Sequence, residues 1–339
     1  MGEVESAHLS SPFLFEDDLE RKALVHAIAA LAEQHCISTG LANRVLDTLS
    51  GAASSTSATV PWPGFEHVHA SRELMRSCES VTLDVLRCHT LLALYLMRGN
   101  AFREAYNFLC IAVRKCYIGR IHRVPTPELP EQEKTAQMQL WWTIFSLDLI
   151  CSLQLNMPAA CQKSIITCPR PRRCSLARYV SPANQHDKTG TYTFSTYPAG
   201  LAVVVTDFCA AVSTADLSDD HSADQVVIRR RANDLSSALL TLESWMLHLP
   251  TEYTINYQTE GFPMQVMIKQ QMLPIWQQQQ AVVLALQSHN AYMLITRPYI
   301  NFRHKLSEVA DVHAQQPEID IHITSAVRHA STIITTVFT

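Results

Sequence analysis

The chain has 339 residues and a net charge of −4, with hydrophobic residues at 47% and charged residues at 17%. This balance excludes an intrinsically disordered chain and offers no general attraction to nucleic acid, so a DNA contact needs a local patch or another chain. Only 9 glycines occur, which argues against Gly-rich phosphate loops and favours helices.

The N-terminus, MGEVESAHLS, has no basic n-region and no apolar core, so it does not read as a signal peptide. Gly2 and Ser6 fit the short myristoylation pattern, but a second membrane signal does not accompany them. Leu19–Ile37 predicts a first helix, with Leu24, Ile28, Leu31 and Ala32 on one stripe. Leu41–Leu49 predicts a shorter helix. Ser50–Thr59 then reads as a flexible linker running into the breaker Pro61–Pro63–Gly64. Residues 1–60 are therefore read as N-terminal helices with a Ser/Thr-rich linker, and 61–339 as one helical domain.

Ser71–Arg98 predicts one long helical block, broken at Gly99–Asn100, and Ala101–Ile118 a second helix with Gly119 as its left-handed stop. Arg120–Pro130 holds three prolines and must be a loop. The helix that follows carries Met138–Pro158, MQLWWTIFSLDLICSLQLNMP, apolar on nearly every face and hence buried. Leu140–Met157 is 18 residues long with one formal charge, the length of a membrane span. Asp148 at its centre, with Ser152, Gln154 and Asn156, argues against a span, and no Lys/Arg cluster abuts either end. Pro158–Pro198 is irregular and proline-punctuated. Helices are expected at Gly200–Thr214, at Val226–Leu249 (ended by Pro250), from Pro274 to Arg297 (stopped by Pro298), and at Ile319–Thr339. The expected fold is all-α, with roughly eight to ten helices and an irregular proline-rich central loop.

Signatures of chemistry are absent: the sequence contains no G-x-S-x-G, G-x-G-x-x-G, P-loop or H-E-x-x-H. None of its 10 cysteines forms a Cys-x-x-Cys pair, and reduced thiols are the simpler expectation. His67-Val68-His69 could bring two imidazoles near one metal, but it lies in a proline-flanked stretch and reads as a solvated loop pair. Cys161, Cys168 and Cys174 fit no zinc module. The basic run Arg170–Arg173 could contact phosphate or direct nuclear import, although a solvated loop is favoured. Asp148 needs a partner if buried, and Arg114, His122 or Arg123 is the expected one. No catalytic, cofactor or metal residues are assigned, and the chain is not expected to be an enzyme.

Several segments, taken in order, resemble a known family. Phe102–Arg123, with Val113-Arg114 and Ile118-Gly119 leading into Ile121-His122-Arg123, is similar to the A-x-R-x-A…L-G-L-H-R stretch of fungal zinc-cluster transcription factors, within their middle homology, or fungal-specific transcription factor, domain. Trp141-Trp142-x-x-Phe145-x-x-Asp148-x-x-x-Ser152, closed by Pro158, resembles the W-W-x-x-F-x-x-D-R-x-x-S…G-R-P signature. Trp245-Met246-x-x-Leu249-Pro250 is similar to W-x-x-x-L-P, and His289…Arg297-Pro298-Tyr299 to Y-H…H-R-P-F. The chain departs at Leu149, where an arginine is usual, at Asn156-Met157, where Gly-Arg is usual, and at Gln139-Leu140, where a basic pair is usual.

The resemblance implies an all-α regulatory domain in a nuclear regulator of transcription, for example of a biosynthetic gene cluster. Such a regulator works through protein partners of the transcription machinery, a DNA-binding partner or a small-molecule effector. The family's zinc-cluster head needs two Cys-x-x-Cys pairs that these residues do not supply, so no direct DNA contact and no membrane contact are expected of this chain alone. The family domain also continues past the segment resembling Thr324–Ala330, so a trimmed relative or an incomplete end is expected. The alternative is a small-molecule-binding helical protein no longer acting on DNA. The residues that carry the resemblance, assigned structural roles, are Arg114, His122, Arg123, Trp141, Trp142, Phe145, Asp148, Ser152, Pro158, Trp245, Pro250, Arg297 and Pro298.

Overall fold

A computed structural model describes residues 12–38, 62–155, 157–170, 198–207, 225–249, 253, 256–257, 266–267, 275–309 and 317–338. The chain divides into two compact units, residues 1–169 and 170–339. The fold is all-α. The first unit holds α1 (Pro12–Ser38), α2 (Phe65–Arg76), α3 (Leu83–Arg98), α4 (Phe102–Ile118) and α5 (Glu131–Leu155). The second holds α6 (residues 198–207), α7 (Gln225–Leu247), α8 (Ile275–Val309) and α9 (Pro317–Phe338). A two-residue antiparallel pairing of Asn256–Tyr257 with Val266–Met267 is the strand content of the described residues.

In the first unit α1 and α2 pack antiparallel: Ala30 lies against Gly64, His26 against His67 and Ala23 against Ser71. The buried stripe of α1 is Ala23, Ala27 and Ala30, not the larger residues expected from the sequence, and Ile28 is 52% exposed. Small side chains let the backbones approach closely. At Gly64 (φ 85) a Cβ would sit 2.5 Å from the Ala30 carbonyl oxygen, so this position requires glycine on both counts. The Ser71 hydroxyl donates to the Ala23 carbonyl (2.9 Å) and fastens the other end.

The expected single block Ser71–Arg98 is two helices, and between them Ser80 and Thr82 bond to another segment. Thr82 caps α3 by accepting the Val85 N–H (3.2 Å), and the Ser80 and Thr82 hydroxyls both donate to the buried Glu20 carboxylate on α1. α2 also begins earlier than expected, so His67-Val68-His69 is helical. Residues two apart on a helix point to opposite sides. His67 accordingly faces His26 (Nδ1 to Nδ1 3.0 Å), while the exposed His69 approaches Glu73, and the two cannot share a metal.

Helices α3 and α4 end in the same way, in Schellman turns. Ala101 N–H bonds Leu96 and Asn100 N–H bonds Met97; Ile121 N–H bonds Cys116 and Arg120 N–H bonds Tyr117. The left-handed residue is Asn100 (φ 63) in the first and Arg120 (φ 58) in the second. Gly119 was the expected left-handed stop, but it is one residue early, at φ −76. Around α3 a continuous core forms from Ala27, Ala30, Val68, Leu92, Ala93, Tyr95, Leu96, Ala105, Leu109 and Cys151.

In the second unit α8 runs through Pro298 instead of stopping before it. An interior proline loses one N–H and crowds the carbonyl four residues earlier, a cost of about 3 kcal/mol. The proline's own φ is nevertheless helical. Buried Thr296 donates to the Tyr292 and Met293 carbonyls in the preceding turn. Of the expected Gly200–Thr214 helix, residues 200–207 are described and helical, and the helix begins two residues earlier, at 198. Leu41–Leu49, Ser50–Thr59, Pro171–Arg173, Cys174, Pro250 and Pro274 lie outside the described residues. No helix among the described residues is long and apolar enough to cross a membrane.

Candidate functional site

Residues 157–169 leave α5 and cross back over α4 and α5 as a strap, with one short 3-10 turn at Lys163–Ile165. Such a segment has no helical ladder, so its backbone groups need other partners. Side chains of α4 and α5 supply them. The Tyr106 hydroxyl donates to the Pro158 carbonyl (2.8 Å). The Tyr117 hydroxyl donates to Ala160 O (3.4 Å) and accepts the Gln162 N–H (2.9 Å). Further along, the Thr167 and Cys168 N–H groups both donate to His122 O (3.1 and 3.0 Å), and Trp142 Nε1 donates to Pro169 O (2.9 Å).

Asp148 is the central fastening. It is fully buried, and its Oδ2 accepts the Cys161 N–H at 2.8 Å. Burial raises its pKa above the usual carboxylate value, opposed by hydrogen bonds from the Cys161 amide and thiol and from the Ala160 amide. The cation expected from the sequence is not its partner. Arg114 is exposed, Arg123 turns its Nε to His122 Nε2 (3.3 Å), and His122 lies against aromatic rings. The Cys161 amide pairs Oδ2, while Oδ1 is buried without a hydrogen-bond partner among the described residues. A cation here would instead take a second charge out of water, at a cost of several kcal/mol.

The other signature side chains surround this fastening. Trp141 (fully buried) lies 6.0–6.4 Å, centroid to centroid, from His122, Tyr117 and Phe145. Trp142 meets Phe145 edge to face at 5.3 Å, and Tyr117 meets His122 likewise at 4.9 Å. Arg123 donates to His122 Nε2, so the ring proton sits on Nδ1, directed at Cys116 O (3.5 Å). Burial lowers the His122 pKa and keeps the ring neutral. Ser152 is buried one turn beyond Asp148, and Pro158 lies near the start of the strap.

In the second unit Trp245 packs partly buried against Tyr253, Ala281 and Leu284, and its indole lies over Gly200, where a Cβ would come within 2.7 Å of Nε1. Arg297 is exposed. Sequence reasoning missed the pair His289 and His329, Nδ1 to Nδ1 at 2.6 Å, with Tyr292 stacked on His329 at 3.8 Å. It also missed the strap tyrosines Tyr106 and Tyr117. His289 and Tyr292 did fall in a motif-like segment, but nothing local indicated their partner on α9.

The first-unit cluster binds and positions backbone. Burial pushes the Cys116, Cys151 and Cys168 thiols up to about 12, so they stay protonated and poorly nucleophilic at neutral pH. Among the described residues, no group of three His, Cys, Asp or Glu side chains is placed to hold a metal. If Asp148 fastens the strap, Asp148→Ala leaves a buried N–H unpaired and should cost about 1–3 kcal/mol in a urea melt. Asp148→Asn keeps an acceptor and loses the buried charge, so it should stay close to wild type. Equal losses in both variants would show that the charge, not the strap bond, matters.

Residues 51–195 match the family described as the fungal specific transcription factor domain. The chain is similar to the oosporein cluster regulator OpS3 of Beauveria bassiana, at 26% identity over 90% of this chain and 44% of that protein. It is similar to the transcription factor asqA of Emericella nidulans, at 25% identity over 91% of this chain and 54% of that protein. The terreic acid cluster-specific transcription factor atF of Aspergillus terreus is 21% identical over 82% of this chain and 43% of that protein. The chain thus spans about half the length of the curated relatives it matches. No solved structure matches.

Proposed function

We propose that this chain, whose residues 51–195 match the fungal specific transcription factor domain, is the regulatory, interaction-bearing part of a transcription regulator of a biosynthetic gene cluster. The observation that carries the proposal is the family match over residues 51–195, which contain the strap and its fastenings. Relatives named as cluster regulators or transcription factors support it.

Its role is non-enzymatic: a large helical core presents docking surfaces to other proteins of the transcription machinery, in the nucleus. DNA is reached through a Cys-x-x-Cys head outside these residues or through a DNA-binding partner, because the residues here contain no Cys-x-x-Cys pair. Deleting or overexpressing the gene should change transcripts of a set of neighbouring biosynthetic genes together. An unchanged transcriptome in both strains would overturn the proposal. Purified protein at physiological salt should bind duplex DNA no more tightly than ordinary non-specific contacts, roughly micromolar or weaker. Nanomolar sequence-specific binding would reassign DNA recognition to this chain.

A further inference from the structure

The outer side of the α4 C-terminus differs from the rest of this net-acidic chain. Residues 111–124 and 157–169 contain Arg114, Lys115, Arg120, Arg123 and Lys163 and not one Asp or Glu, whereas the whole chain carries 31 acids against 27 Lys and Arg. The fold joins these two acid-free stretches: His122 O accepts the Thr167 and Cys168 amides, and Val124 N–H approaches Thr167 Oγ1 at 3.4 Å.

Large apolar side chains of these two stretches are exposed. Ile118 is 73% exposed, Val124 63% and Ile165 42%. Arg114 lies one turn before Ile118 on α4, and Arg120 and Arg123 occupy the turn between Ile118 and Val124. That turn is rigid, because the Schellman bonds hold Arg120 in its left-handed conformation. Arg123 is exposed and its Nε donates to His122 Nε2, which fixes one edge of the guanidinium plane. A planar fork of this kind suits carboxylates, and its preorganisation reduces the ordering cost of binding.

We propose that this surface docks an acidic amphipathic peptide, a partner segment in which Asp or Glu alternates with large apolar residues. Ile118, Val124 and Ile165 take the apolar residues, and Arg114, Arg120 and Arg123 take the carboxylates. A nucleic acid would use the arginines but leave the exposed isoleucines and valine without a role. The inference names the partner chemistry for the interaction role proposed above and rests on that role.

The test is fluorescence anisotropy of the full chain with a labelled peptide of Glu-Leu-Asp-Phe repeats. Three controls run beside it: the same peptide with Gln and Asn for the acids, oligoglutamate, and a duplex DNA fragment. The acidic amphipathic peptide should bind most tightly and weaken with salt. The double reversal Arg120→Glu/Arg123→Glu should weaken it about tenfold, as two exposed ion pairs imply. Ile118→Ser should weaken it without changing the salt dependence. Ile118→Ser should melt with the wild type. Because Arg123→Glu also removes the bond to His122 Nε2, Arg120→Glu alone is run beside the double reversal; it should melt with the wild type and should weaken binding about threefold. No binding, binding indifferent to both variants, oligoglutamate matching the amphipathic peptide, or DNA binding more tightly and being lost on reversal would each overturn the proposal. None of these outcomes bears on the transcript measurement, so the two proposals fail separately.

Discussion

Replacing Trp141 with alanine is expected to destabilise the first unit by about 3–5 kcal/mol, the range for truncating a buried aromatic. The indole is fully buried and touches rings from α4, the turn after it and its own helix, so the cavity would open where three segments meet. Those segments cannot collapse independently, because Tyr117 and His122 are also tied to the strap. The loss should therefore lie toward the top of the range and appear as a lower urea midpoint. Trp142→Phe gives the contrast. It keeps most of the packing against Phe145 and removes the bond to Pro169, so about 1 kcal/mol should go. If both variants lost the same small amount, Trp141 would not be the anchor described here.

The second large effect is a loss of stability as pH falls. Burial lowers the pKa of His89 from 6.5 to about 4, with Lys115 adding to it, and burial lowers His289 and His329 likewise to about 4. The unfolded chain then binds protons near pH 6.5 while the folded chain still excludes them. Stability from these groups is fully present above that pH and is lost as pH falls toward about 4. For His89, which is 6% exposed, the loss is up to roughly 3 kcal/mol. His289 and His329 share one contact and titrate as a pair, so their effects should not be added. Asp148 works in the opposite direction, since a raised carboxyl pKa means the folded state gains a proton on acidification. Urea stability measured from pH 7.5 to 4 should decline, and His89→Leu should flatten part of that decline. An unchanged slope in His89→Leu would remove His89 from the account.

Much of this protein was legible in its residues alone. Apolar spacing within α3, α4 and α5, the Pro61–Gly64 breaker and the Gly99–Asn100 stop all follow from local rules of helix periodicity and termination. These depend on neighbours three or four residues away. The tryptophans, Phe145 and Asp148 marked their helix as buried for the same reason: too many apolar faces and one acid that lipid would not accept.

What stayed hidden depended on distant partners. The break at residues 77–82 exists because Ser80 and Thr82 find Glu20, some 60 positions earlier. The buried face of α1 is its alanine stripe because Gly64 comes close enough to exclude anything larger. Pro298 reads locally as a stop, yet α8 continues through it. Asp148 looked as though it needed a cation, and its partner is a backbone amide in a strap with no periodicity to announce it.

The sequence by itself determined an all-α chain, the helix at residues 131–155 and the residues that would crowd its interior. Only the tertiary structure decided that those residues hold an irregular strap, and that the strap brings two acid-free stretches to one surface. The physical reason is range. Helix formation is decided by contacts within a turn, whereas hydrogen-bond satisfaction of an irregular backbone and the clustering of exposed charge are decided by whichever segments the fold brings together.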